Sequence, residues 1–138
     1  VLVGPDYGPM KKYREIDPDI IHINYLPAPE YLVFTSSAYI GILWYNSNSL
    51  NNIFCAPNKI FEYSAYGLPM IGNSIPGLYY PLNMYGAGLA VDENDVDNIK
   101  NAIQAISSDY QRYSLGSKKL SGSVNNRKTI DLALKKIL

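Results

Sequence analysis

The stretch CAPNKIFEYSAYGLPMIGN, residues 55–73, contains in order a helix start, a helix, a helix stop and a buried strand. Pro57 suits a first helical turn, where its missing amide is not needed. Gly67 stands just past the last helical residue, where a left-handed conformation closes many helices. LPMIGN then runs apolar without polar alternation, the pattern of a strand covered on both faces. Within the helix, Lys59, Glu62, Tyr63 and Tyr66 recur at spacings of three and four and are expected on one stripe. Ile60, Phe61, Ser64 and Ala65 are expected to turn the other way, toward the sheet.

The same grammar extends outward. VLVG (residues 1–4), IIHIN (20–24), YIGILW (39–44) and GLAVD (88–92) read as further short buried strands. A short helix is expected over residues 10–16, and another begins at Pro27 or Pro29 and runs through EYLVFTSSA. YNSNSLNN reads as a polar loop. Asp95 is placed to cap a helix over 96–106, and helices over 109–120 and 125–138 follow. In the last of these, Ile130, Leu134, Ile137 and Leu138 share a face. Apolar strands alternating with helices predict an α/β, doubly wound, Rossmann-like parallel sheet flanked by helices. Such sheets bind ligands at the carboxyl ends of their strands. The loops after Gly4, Asn24, Trp44 and Asn73 would face the site, and the helix bearing Lys59 and Glu62 would begin at that edge.

Composition narrows the function. A chain of 138 residues is long enough for one domain with its own core. Hydrophobic residues at 47% and charged residues at 17%, with zero net charge, exclude a disordered chain and argue against nucleic acid as a partner. The charge is uneven: seven Lys/Arg against two Asp/Glu from Ser107 onward, five against ten before it. Lys118, Lys119, Arg127, Lys128, Lys135 and Lys136 could form a solvated basic face, or one that meets a membrane surface. The single cysteine, Cys55, rules out a disulfide framework and fits a reducing, cytoplasmic setting. No apolar run reaches the roughly 18 residues of a membrane span, and no secretory leader is visible at the start. Val1 opens directly into a strand, so the chain is expected to be part of a longer protein.

The chemistry concentrates on the helix of residues 58–65. A carboxylate can accept two hydroxyl hydrogen bonds at once, as the diol of a ribose offers. Lys59 adds a cation near a helix N-terminus, where backbone amides already favour an anion. Lys59 and Glu62 together could hold a nucleoside diphosphate. They could equally be a solvated intrahelical ion pair worth about 0.2–0.5 kcal/mol.

PNKIFEYSAYGLPMIGNSIPG resembles the donor-binding motif of GT-B glycosyltransferases of the large group 1 (family 4) set. YLPAPEYLVFTSSAYIGIL and GLAVDENDVDNIKNAIQAI resemble the family's flanking segments. The resemblance implies that Glu62 binds the ribose hydroxyls of a nucleotide sugar. It also implies that Lys59 reaches the diphosphate, and that Asn58, Gly67 and Pro69 shape the site. It implies a retaining hexosyltransferase in surface polysaccharide or glycoconjugate synthesis, with no metal or organic cofactor. Lys59 and Glu62 would be the catalytic pair, neutralising and positioning the departing diphosphate.

The chain departs from the pattern in two ways. Phe54 stands where many members carry a second glutamate, eight positions before Glu62. By the resemblance, Val1 begins at the second strand of the donor domain. The family's phosphate-binding loop and its N-terminal acceptor domain would then lie outside this chain, and the chain alone would be inactive.

Other features are weighed and set aside. His22, between isoleucines, reads as a hydrogen-bonded structural histidine. Cys55 reads as a passive thiol, with no adjacent basic residue. DENDVD lacks the central Gly and terminal Glu of a calcium loop and suits a helix start. Tyr25 and Tyr45 could stack on a base or sugar. Two other functions stay open: a non-catalytic α/β nucleotide-binding or regulatory module, and another doubly wound cofactor binder. GPDYGP lacks the dinucleotide Gly spacing. An exposed parallel edge would also favour a homodimer.

Overall fold

Both parts of this chain are built from parallel strands and the helices that follow them. The computed structural model describes residues 1–54, 57–124 and 126–135. It divides into two units, Val1–Ser37 and Ala38–Leu138.

In the first unit, β1 (Leu2–Val3) runs parallel to β2 (His22–Ile23), with Leu2 opposite His22 and Val3 opposite Ile23. Asp6 Oδ1 accepts from the amides of Gly8 at 2.8 Å and Met10 at 3.3 Å, fixing the turn into α1 (Met10–Ile16). α2 (Glu30–Ser37) begins just after Pro29, with Glu30 at the positive end of the helix dipole. The second strand is shorter than expected: residues 20 and 24 lie outside it, and residue 21 contributes only its carbonyl, which accepts from the Leu2 amide at 2.8 Å. The Ile20 amide instead bonds the Asp17 carbonyl in a turn at 3.3 Å.

The second unit holds a three-stranded parallel sheet in the order β3 (Gly41–Leu43), β4 (Met70–Asn73), β5 (Gly88–Val91). Gly41 sits opposite Met70, and Met70 opposite Gly88. The helices are α3 (Leu50–Phe54), α4 (Asn58–Ala65), α5 (Pro76–Tyr85), α6 (Val96–Ser108), α7 (Tyr110–Ser123) and α8 (Asn126–Leu134). Successive residues of β4 explain why the strand carries no polar alternation. Met70 packs with Leu43, Ile60, Leu78, Leu82 and Leu120, whereas Ile71 packs with Val91, Ala102, Ile106 and Tyr113. A strand's side chains alternate between faces, so both faces of this sheet are covered. Asp95 caps α6, its Oδ1 accepting from the Asn98 amide at 2.9 Å.

Two helices were not expected from the sequence. α3 begins within the stretch read as a polar loop and runs two residues past its end, with Ser49 Oγ accepting from the Asn52 amide at 3.2 Å to start it. α5 is obscured by its prolines. Pro76 occupies the permissive first turn, and Pro81 lies inside the helix. Leu78 and Leu82, one turn apart and fully buried, hold it to the sheet. On α8, Ile130 and Leu134 are exposed, and Ile137 and Leu138 lie outside the described residues. Among the described residues no helix is long and apolar enough to cross a membrane.

α7 is tied to the sheet by Ser117, whose fully buried hydroxyl donates to the Leu68 carbonyl, with the Ala87 carbonyl 3.3 Å away. Ser117→Ala leaves these carbonyls facing a methyl group and is expected to cost about 1–3 kcal/mol. Urea unfolding of the two proteins checks this, and an unchanged midpoint would show that the hydroxyl stabilises nothing.

Candidate functional site

α4 places the ion pair foreseen in the sequence. Lys59 Nζ donates to Glu62 Oε2 at 2.7 Å, and the two side chains are 43% and 24% exposed. A pair this close to solvent contributes little to stability. Ile60 and Ser64 are buried beneath it, as expected. The expected stripe needs one correction: Phe61 and Ala65 are exposed, and Tyr63 packs against the core cluster instead. The cause is Gly41 on β3. A Cβ there would lie 2.4 Å from Tyr63 Cδ2, so the missing side chain makes room for the ring. The inward-facing arc of α4 is therefore buried Ile60 and Ser64 with half-buried Tyr63, a spacing of three and four. Burial pushes the Tyr63 phenol above its ordinary value; the Lys59 cation opposes this and the Glu62 carboxylate adds to it.

The turn after α4 is set by the residues expected to shape it. Gly67 adopts a φ of 68°, and the Leu68 amide reaches back to the Tyr63 carbonyl at 3.0 Å. Pro69 is fully buried, and its carbonyl accepts from the Gly41 amide at 2.9 Å as the β3–β4 ladder begins. Neither residue offers a side chain to a ligand; both fix where α4 ends and β4 starts. Asn58 is exposed at the first position of α4. Tyr25 belongs to the Val1–Ser37 unit, where it is exposed.

The carboxyl edge of the three-stranded sheet holds an open crevice of about 240 Å³, lined by Trp44, Tyr45, Asn46, Asn73 and Glu93. Trp44, Tyr45 and Asn46 follow β3, Asn73 ends β4, and Glu93 follows β5. Lys59 and Glu62 are not among its lining residues. Asn73, 1% exposed, clamps the β3 loop: its Oδ1 accepts from the Tyr45 amide at 3.2 Å and its Nδ2 donates to the Tyr45 carbonyl at 2.6 Å. The loops after Trp44 and Asn73 were expected at this edge, and Tyr45 as a stacking residue. Asn46 and Glu93 were not singled out as lining residues, and nor was the clamping role of Asn73. An asparagine ending an otherwise apolar buried strand was the available signal for the last, because a buried amide must find partners.

The features set aside can also be placed. His22 Nε2 donates to the Gly4 carbonyl at 2.7 Å, the bond of a structural histidine. Asp92 Oδ1 accepts from the Asn94 amide at 2.9 Å, so the DENDVD acids serve a turn and the α6 cap. Among the described residues no three His, Cys, Asp or Glu side chains stand close enough to hold a metal ion. Cys55 lies outside the described residues, as does Lys136. Lys118, Lys119, Lys128 and Lys135 are exposed.

No protein-family model matches the chain, and no curated protein sequence does either. By structure, 99% of the chain matches part of a sucrose-phosphate synthase from Thermosynechococcus elongatus, with a TM-score of 0.69 and 23% sequence identity. The chain spans 36% of that protein's length. What this likeness establishes is the fold, a Rossmann-like α/β arrangement of parallel strands and flanking helices found in one segment of that synthase.

Proposed function

We propose that this chain is the nucleotide-sugar-binding part of a glycosyltransferase, with α4 as the helix that grips the donor. The observation that carries the reading is the Lys59–Glu62 pair, 2.7 Å apart on the solvent side of α4. Beneath the pair, Ile60, Tyr63 and Ser64 pack the helix down, and the Gly67–Pro69 turn ends it. A carboxylate held by an ammonium still has lone pairs for two ribose hydroxyls, and the ammonium still has protons for a phosphate oxygen. The likeness to a synthase that makes a sugar phosphate supports the same class of chemistry.

On this reading Glu62 orients the nucleoside through its ribose, and Lys59 neutralises charge on the diphosphate as it departs. The reaction would be a retaining transfer that needs no metal ion. The acceptor would be held by a further domain of the same cytoplasmic protein, in synthesis of a surface polysaccharide or glycoconjugate. The exposed Lys118 and Lys119 of α7 would suit an acceptor carried on an anionic membrane. Phe54, exposed at the end of α3 where a second glutamate is the family's habit, favours one alternative, a binding module without transferase activity.

The test is an NMR titration of the chain with UDP, GDP, CMP and ADP, repeated on Glu62→Gln. One nucleoside diphosphate should perturb Lys59, Glu62 and their neighbours selectively. The amide variant, which trades an acceptor for a donor, should weaken that binding about tenfold. Perturbation of α4 by no nucleotide, or equal binding by the variant, would overturn the reading.

A further inference from the structure

β3 meets α4 at a residue that has no side chain. Gly41 and Leu43 share the inward face of the strand, as alternate residues do. Leu43 is buried in the same cluster as Ile60 of α4, and the Tyr63 ring fills the room over Gly41. From this fit we infer that Tyr63, seated at Gly41, is a positioning residue that sets the rotation of α4 about its own axis and so the direction in which Lys59 and Glu62 point. The inference rests on the donor reading of α4 and adds a control on it from a strand that offers the ligand no side chain.

α4 is only eight residues long, and its far end is held by α7. A Cβ at Gly67 would stand 2.8 Å from Lys118 Cε and 3.3 Å from Ser114 Oγ, so the turn that closes α4 lies hard against that helix. Holding one end of a helix does not fix its rotation. Side chains packed along its length do that, and Tyr63 is the largest of the inward-facing three. Residues 59, 62 and 63 lie within one turn of each other, so any rotation that moves Tyr63 carries Lys59 and Glu62 with it.

The seat leaves little tolerance. An added Cβ at Gly41 would lie 2.4 Å from Tyr63 Cδ2 and 2.9 Å from both Cε2 and Cγ. Turning the ring about χ2 can relieve Cδ2 and Cε2 but not Cγ, which lies on the rotation axis. The ring must leave by a change of χ1 or by a shift of α4, and regaining ordinary contact takes about 1 Å. Either movement removes what sets the rotation, whereas binding groups need to be held to within roughly 0.5 Å. The ring also stands within electrostatic reach of the pair: burial raises the Tyr63 phenol most, Lys59 lowers it and Glu62 raises it.

The experiment compares the parent chain with Gly41→Ala, Tyr63→Ala, Tyr63→Phe and the double variant Gly41→Ala/Tyr63→Ala. Cα–Hα residual dipolar couplings over α4, recorded without nucleotide, measure its rotation relative to β4 and β5. Titration with UDP, GDP and ADP measures the grip. Gly41→Ala should change the couplings across residues 58–65 and weaken the preferred nucleotide about tenfold. Tyr63→Ala should also change both, and adding Gly41→Ala to it should change nothing further, because no ring is left to displace. Tyr63→Phe keeps the ring and should keep the parent's couplings. Should Gly41→Ala fail to fold, Tyr63→Ala set against Tyr63→Phe carries the same comparison.

Parent-like couplings in Tyr63→Ala would overturn the inference, as would a Gly41→Ala effect of equal size with and without the ring. Tyr63→Phe behaving like Tyr63→Ala would also overturn it, by assigning the role to the hydroxyl. A parent that binds none of the nucleotides sinks the donor reading alone, since the couplings recorded without nucleotide still decide whether Tyr63 sets the rotation of α4.

Discussion

Gly116→Ala should lower the melting temperature by roughly 10 °C, the equivalent of about 3 kcal/mol for a domain of this size. Gly116 lies in α7 where that helix meets the turn closing α5. A Cβ there would stand 2.1 Å from the Gly86 carbonyl oxygen and 2.6 Å from that of Tyr85. Both obstacles are backbone, so no rotamer change can relieve the clash. Gly86 itself is held at a φ of 63° to end α5, with the Ala87 amide bonded to the Leu82 carbonyl at 2.9 Å. Moving that turn would disturb the start of β5 at Gly88, and with it the sheet.

The same helix supplies a control. A Cβ at Gly122 would meet nothing within 4 Å. Gly122→Ala should therefore gain helix propensity, up to about 0.5–1 kcal/mol. Thermal unfolding of both variants decides the matter. If the two shift alike, close packing of α7 on the α5 turn is not what stabilises this unit.

Asn73→Ala should cost about 3 kcal/mol and loosen the crevice, the second-largest effect expected here. The substitution removes both side-chain bonds to Tyr45 and leaves that residue's amide and carbonyl with one partner fewer each. It also opens a void beside a residue that is 1% exposed. Asn73→Asp separates hydrogen bonding from packing. The carboxylate can still accept from the Tyr45 amide, but it confronts the Tyr45 carbonyl with an oxygen where an NH2 had been. It should be no better than alanine, although its volume is nearly that of asparagine. Asn46→Ala, on the exposed loop, should stay within about 0.5 kcal/mol of the parent. Urea unfolding measures the stabilities, and the Trp44 emission maximum should move to the red as the β3 loop loses its anchor. A stable Asn73→Asp with unchanged emission would refute the clamp.

Much of this architecture could be read locally. Pro57 and Gly67 bracket α4, Asp95 caps α6, and apolar runs lacking polar alternation mark β3, β4 and β5. Each of these signals acts through neighbouring backbone groups, so a short window contains its cause. The Lys59–Glu62 contact was legible for the same reason, since residues three apart on a helix are neighbours. α5 was not legible, because Pro76 and Pro81 argue locally against a helix interior. It persists because Leu78 and Leu82 are buried against strands distant in sequence.

Tertiary packing likewise decided which side of α4 is buried. Tyr63 turns inward because Gly41, more than twenty positions earlier, leaves a space that the helix pattern cannot reveal. The crevice has the same origin. Its walls come from the ends of three strands, and the bond that holds it runs from Asn73 to Tyr45, 28 residues apart. Backbone geometry and hydrophobic period are properties of adjacent residues, and the order of strands and helices followed from them. Shape, burial and hydrogen-bond partners across the sheet are properties of residues brought together only by folding, and the site is made of these.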